Sequence, residues 1–139
     1  MTVVLDASVI VKWLFQNPRR EAGTEQATDL MEQIAAGSLP VLEPPHWLAE
    51  VGAVLARQTP STAADDMAIL AAMELPVSAD PLALRRGIEL SIELRQHLFD
   101  TYYHAVALEN PDTVLITADD HYLRAARGNG RIVNLMDWK

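Results

Sequence analysis

The sequence predicts an α/β fold built on a mainly parallel sheet with helices on both faces. Two short β-branched and apolar runs, Thr2–Leu5 and Thr113–Thr117, have the pattern of buried strands. Segments with helical periodicity alternate with the strands, and this alternation favours parallel pairing. The chain has 139 residues, half of them hydrophobic, which is enough for one core, so we expect a single domain over residues 1–139.

The other elements follow from apolar periodicity and from residues that begin or end helices. In the first half we expect a helix capped by Ser8, a helix that ends near Ala36, a strand over Pro40–Glu43 and a helix opened by Pro44 and Pro45. After these we expect a helix over Ser61–Met73, a strand over Leu75–Val77 and a helix over Leu82–Arg95 with Asp80 as its N-cap. The last expected elements are a helix from about Asp100, a short helix to Leu123 that follows the Thr113–Thr117 strand, and a strand over Arg131–Leu135.

Composition excludes several functional classes. The sequence has no cysteine, which rules out disulfides, thiolate zinc sites and a cysteine nucleophile. The first residues have no basic n-region and meet a carboxylate at Asp6, so we do not expect them to form an export signal. The apolar stretch from Val3 to Phe15 is far shorter than the roughly 20 residues of a membrane span, so we expect a soluble, cytoplasmic protein. The net charge of −8 argues against non-specific coating of nucleic acid, unless several acids gather around a cation.

Four acids occupy positions where a carboxylate needs a partner. Asp6 and Asp119 each follow a predicted strand, and ligands of open α/β sheets bind at the carboxyl ends of strands. Glu50 and Asp100 lie on the apolar faces of their helices, where an unpaired carboxylate is costly. Mg²⁺ and Mn²⁺ prefer oxygen ligands, so all four acids are candidate metal ligands, and hydrolysis of a phosphodiester by metal-activated water is the leading chemistry.

Purely structural roles compete with this interpretation. Asp6, Asp100 and Asp119 are each also candidate helix N-caps. Glu50 has the alternative of a buried bond to backbone or to Tyr103. Asp120 is an alternative to Asp119 as the fourth acid.

Further side chains near the proposed site have supporting roles. Ser8 and Thr117 each lie two residues from a proposed ligand and are candidates to orient carboxylates. The scattered histidines favour surface or packing roles, although His104 follows Asp100 by one turn and is a candidate to approach the scissile phosphate. The candidate RNA contacts are Lys12, Arg19, Arg20 and Arg124.

The same residues resemble the PIN domain family, in particular VapC-type toxins of bacterial toxin–antitoxin pairs. The resemblance is carried by Val4–Trp13, by Glu50 within a helix, by Phe99–Ala107 and by Thr117–Asp119, and it covers nearly the whole chain. Each motif is weak alone, but the four occur in order at plausible separations.

The resemblance implies a three-layer α/β/α sandwich and Mg²⁺- or Mn²⁺-dependent endoribonuclease activity that stops translation. It also implies a homodimer and a cognate VapB-like antitoxin. Asp6, Glu50, Asp100 and Asp119 match the acidic quartet of the family, while Ser8 and Thr117 match its hydroxyl positions.

Two other functions compete with the toxin hypothesis. One is a receiver-like phosphoacceptor module, in which acids at strand ends bind Mg²⁺ and one aspartate is phosphorylated. The other is a partner-binding module without turnover, whose acidic pocket captures an arginine of its partner. Detection of an acyl phosphate would favour the first alternative, and a co-purifying small protein is expected from the second as well as from the toxin hypothesis.

Overall fold

The computed structural model describes residues 1–15 and 22–139 and has the predicted α/β architecture. Three described strands, β1 (Thr2–Leu5), β2 (Thr113–Thr117) and β3 (Ile132–Asn134), form a parallel sheet in that order. The helices that flank this sheet are α1 (Ala7–Ile10), α2 (Thr24–Ala35), α3 (Trp47–Gln58), α4 (Ala63–Ala72), α5 (Pro81–Leu94), α6 (Leu98–Leu108) and α7 (Asp120–Ala126). The predicted fold class is confirmed.

The two strands that the sequence predicts at 40–43 and 75–77 are present only as isolated parallel bridges. Val41 pairs with Val3, and Glu43 pairs with Val77, so the sheet continues outward from β1 by one residue pair at each step. Proline explains the difference, because Pro40, Pro44 and Pro76 have no backbone N–H to donate to a ladder.

Helix ends agree closely with the expected signals at α5 and differ at α6. The Asp80 carboxylate accepts from Leu82 N at 2.9 Å, with Pro81 in the first turn, as predicted. At α6 the N-cap is His97, whose Nδ1 accepts from Phe99 N at 3.0 Å. Asp100 therefore lies inside the helix, and the alternative that it is a cap is wrong.

The core lies between the central strands and the helices that cover them. Val3, Val4 and Leu5 of β1 are completely buried, as expected for a parallel strand covered on both faces. Helix α6 packs against β1 and β2, and α5 packs against α6. Along the described part of the chain, no helix combines the length and the apolar character that a bilayer crossing requires. The sheet edge at the carboxyl ends of β1 and β2 carries the acids considered next.

Candidate metal centre

Asp6 occupies the carboxyl end of β1 and is held there by two hydroxyl groups. Its side chain is 8% exposed, and its Oδ2 accepts from Ser8 Oγ at 2.6 Å and from Thr117 Oγ1 at 3.0 Å. Asp6 is the N-cap residue of α1 by position, but its side chain makes no capping hydrogen bond. Burial raises the pKa of Asp6 to about 6, against the lowering effect of Ser8 and with a further raising effect of the Glu50 charge.

Two acids from separate helices approach Asp6. Glu50 of α3 and Asp100 of α6 each place a carboxylate oxygen so that the three ligand atoms lie within 4.8 Å of one another. Burial raises the pKa of Asp100, and the charges of Glu50 and Asp119 raise it further. Three carboxylates at this separation repel one another, and a hard cation relieves that repulsion.

Glu50 supplies an observation that fits a bound cation. His46 Nε2 donates to the Phe99 carbonyl oxygen at 2.9 Å and lies 3.0 Å from Glu50 Oε2. That carboxylate oxygen is nevertheless buried without a hydrogen bond among the described residues. Burial raises the pKa of the Tyr103 hydroxyl, and the nearby Glu50 carboxylate raises it further, so a contact between Tyr103 and Glu50 remains an alternative role for this acid. Three converging carboxylates are the donor set that Mg²⁺ or Mn²⁺ would use.

Asp119 lines the same pocket but is not in the group of three. It is the N-cap of α7, and its Oδ1 accepts from Tyr122 N at 3.1 Å, so the capping role proposed for it is present. Asp120 does not line this pocket, and it accepts from Asn134 Nδ2 at 2.9 Å. Of the two adjacent aspartates, Asp119 is therefore the one near the metal centre.

The pocket has a volume of about 380 Å³ and mixes acids with cationic side chains. Lys12, a predicted RNA contact, lines it and is 8% exposed. Arg19 and Arg20 lie outside the described residues, and Arg124 is exposed on α7 and does not line the pocket. Arg57 does line it, and the sequence interpretation missed this residue although it follows Glu50 by seven positions on one face of α3.

A family model describes nearly the whole chain. The model of the PIN domain matches residues 3–128. The chain belongs to the PIN domain family. A search of curated proteins gives no match to it. The membership agrees with the parallel sheet and with the acids at its carboxyl edge, and it leaves the receiver-like alternative without support.

The two predicted hydroxyl residues of this PIN domain connect β1 to β2. Ser8 Oγ, besides donating to Asp6, accepts from Ala118 N at 3.0 Å. Thr117 Oγ1 donates to Asp6 and accepts from Asp119 N at 3.0 Å. Each hydroxyl therefore links the Asp6 carboxylate to the backbone that follows β2. Ser8 orients a site carboxylate, and the helix-capping role expected of it is not observed.

His104 is part of the packing and not of the pocket. It is completely buried, and its ring nitrogens contact Tyr122 Oη at 3.0 Å and the Gly130 carbonyl oxygen at 2.8 Å. Burial lowers the pKa of His104, which favours the neutral ring, so Nε2 donates to Gly130 and Nδ1 accepts from Tyr122. The reservation that His104 approaches a phosphate is not supported.

Proposed function

We propose that this PIN domain is a Mg²⁺- or Mn²⁺-dependent endoribonuclease and the toxin of a type II toxin–antitoxin pair in the cytoplasm. The observation that carries the catalytic part is the approach of Asp6, Glu50 and Asp100, which come from three different elements, to within 4.8 Å. Burial and mutual repulsion make this arrangement costly for structure alone. Family membership supports nuclease chemistry at the same site.

The acids, hydroxyl groups and cationic side chains of the site have defined parts in the proposed reaction. Asp6, Glu50 and Asp100 would hold the cation, with Asp119 beside them, and Ser8 and Thr117 fix the Asp6 carboxylate. When bound, the cation supplies a Lewis acid that activates water for attack on phosphorus. Lys12 and Arg57 line the same pocket and provide cationic groups for phosphates of an RNA strand.

Incubation of the purified protein with total RNA tests the proposal. We expect cleavage with Mg²⁺ or Mn²⁺ and none with EDTA, and mapping of the cleaved ends would identify the target. Asp6→Asn and Glu50→Gln keep the size of the side chains but weaken cation binding, so we expect activity to fall at least about 100-fold in each. Asp29→Asn changes an exposed carboxylate on α2 and serves as the matched control. Full activity in both site variants would overturn the assignment.

The partners belong to the proposal as well. We propose a homodimer and a VapB-like antitoxin that occupies the pocket and places an arginine among the carboxylates. Three carboxylates this close together repel one another. A guanidinium group would offset that repulsion, because it binds carboxylates through paired hydrogen bonds. Co-expression with the adjacent small open reading frame is expected to yield a complex without RNA cleavage. A stable complex from a protein that cuts no RNA when alone would favour the non-catalytic alternative.

A further inference from the structure

Glu43 lies where the chain changes its pairing partner in the sheet. Val3 N donates to the Pro40 carbonyl at 3.0 Å, and Leu42 N donates to the Val3 carbonyl at 3.0 Å. One residue later the chain pairs on its other side, because Glu43 N donates to the Pro76 carbonyl at 2.8 Å and Ser78 N donates to the Glu43 carbonyl at 2.8 Å.

The Glu43 side chain replaces the missing backbone acceptor for β1. In a regular parallel ladder the next bond would run from Leu5 N to the Leu42 carbonyl. Instead, Leu5 N donates to Glu43 Oε1 at 2.6 Å, across 38 positions of sequence. Leu5 is the last residue of β1, and the next residue is Asp6.

Glu43 is an unexpected residue to find in this position. It is completely buried, and its Oε2 has no hydrogen-bond partner among the described residues. Burial raises the pKa of Glu43 well above its ordinary value, and the charges of Asp6 and Glu50 act in the same direction. These effects favour the neutral form of the side chain, and Oε1 can accept from Leu5 N in either protonation state.

We propose that Glu43 is a positioning residue of the metal centre, which holds the carboxyl end of β1, and hence the Asp6 carboxylate, at the separation from Glu50 and Asp100 that one cation requires. This inference rests on the proposed cation site and adds a residue outside the acidic quartet. An apolar residue at this position would leave Leu5 N buried without an acceptor.

Variants at position 43 separate hydrogen bonding from charge and volume. Glu43→Gln retains an oxygen that can accept from Leu5 N. Glu43→Met retains length and volume but removes the acceptor. Glu43→Asp keeps an acid but withdraws its oxygens by one methylene, and it is a second test if the Met variant does not fold. Leu30→Ala, in the core on α2 and not among the residues that line the pocket, controls for general destabilisation.

The readout is the dissociation constant for Mn²⁺, measured by titration calorimetry without substrate. We expect Glu43→Gln to stay within about threefold of the wild type. Glu43→Met and Glu43→Asp are expected to bind about 10- to 100-fold more weakly, the usual effect of losing a group that orients a ligand. Leu30→Ala is expected to lower the free energy of unfolding while Mn²⁺ binding stays unchanged.

Two results would overturn the inference. Wild-type affinity in the Met or Asp variant would show that the Leu5 hydrogen bond does not position Asp6. An equal loss in the Gln variant would show that Glu43 acts through its charge, as a ligand. If the wild-type protein binds no Mn²⁺ at all, the proposed function fails, and that result is distinct from either of these.

Discussion

Both hydroxyl groups that contact Asp6 donate to the same carboxylate oxygen. Ser8 and Thr117 bond Oδ2, and neither bonds Oδ1. Each hydroxyl also accepts from a backbone N–H after β2, which fixes its own rotamer. The carboxylate is therefore oriented from one side by groups that are themselves held in place, which is the arrangement that surrounds ligands in metal sites.

Removal of one hydroxyl should affect the cation more than the fold. In Ser8→Ala, Asp6 loses its shorter hydrogen bond and Ala118 N loses its acceptor. We expect the free energy of unfolding to fall by about 1–3 kcal/mol and Mn²⁺ affinity to fall about 10-fold or more. Calorimetric titration and urea unfolding measure the two effects. Ser38→Ala, which changes an exposed hydroxyl that donates to the Gln33 carbonyl, is the control. Unchanged Mn²⁺ affinity in Ser8→Ala would contradict the orienting role.

The raised pKa of Asp6 predicts how the metal-free protein responds to pH. The pKa rises from 3.8 to about 6, so the folded state binds this proton more tightly than the unfolded state does. Stability is therefore lost as pH increases from about 4 to above 6, and the full shift corresponds to about 3 kcal/mol. In the presence of EDTA, the free energy of unfolding of the wild type should fall between about pH 5 and pH 7.5. We expect Asp6→Asn to remove roughly 1 kcal/mol of that fall. Identical slopes of stability against pH in the variant and the wild type would contradict this.

At the scale of the element, periodicity identified the candidate site residues that can be recognised within a single strand or helix. The apolar runs predicted where β1 and β2 end, and they therefore identified Asp6 and Asp119 as candidates. The apolar stripe of α3 identified Glu50, because a carboxylate on that face is unexpected. Glu43 was missed because a strand pattern does not reveal where a strand leaves one neighbour for another. The convergence of Glu50 and Asp100 on Asp6 depends on tertiary packing, which no local pattern encodes.

The contact between α5 and α6 is a second place where an element positions the site. A Cβ atom added at Gly87 would lie 3.3 Å from Tyr102 Cα and 3.4 Å from Leu98 Cδ1, and the Gly87 carbonyl accepts from Thr101 Oγ1 at 2.7 Å. Helix α6 carries Asp100, so a larger residue at position 87 should move a proposed ligand.

We therefore expect Gly87→Val to lower the free energy of unfolding by about 1–3 kcal/mol and to weaken Mn²⁺ binding. The matched control is Gly52→Ala in α3, where an added Cβ has no atom within 4 Å. There, the higher helix propensity of alanine should stabilise the protein by about 0.5–1 kcal/mol. Urea unfolding measures both changes. Equal effects of the two substitutions would show that the close approach of α5 and α6 does not limit residue 87.

At the scale of the whole molecule, negative charge is partly concentrated at one edge of the sheet. The net charge is −8, and Asp6, Glu50, Asp100 and Asp119 all line the pocket that contains Lys12 and Arg57. Cation binding would reverse the local field that a phosphate meets, so an acidic protein can have a nuclease site.

The proposed homodimer concerns another surface. Leu84, Ile88 and Ile92 form an exposed apolar row on α5 with four-residue spacing.

This row predicts where the proposed homodimer can be disrupted. An exposed apolar row on a helix is typical of a protein interface, and lysines within it would have to be buried unpaired. We expect the wild-type chain to sediment at twice its mass of 15.3 kDa and the double variant Ile88→Lys, Ile92→Lys to sediment as a monomer. Met136→Lys places a lysine at an exposed apolar residue outside α5, and it should leave the dimer intact. Because the row lies on α5 and contributes none of the three clustered acids, the monomer should still bind Mn²⁺. A wild-type monomer, or a double variant that remains dimeric, would exclude this surface as the interface.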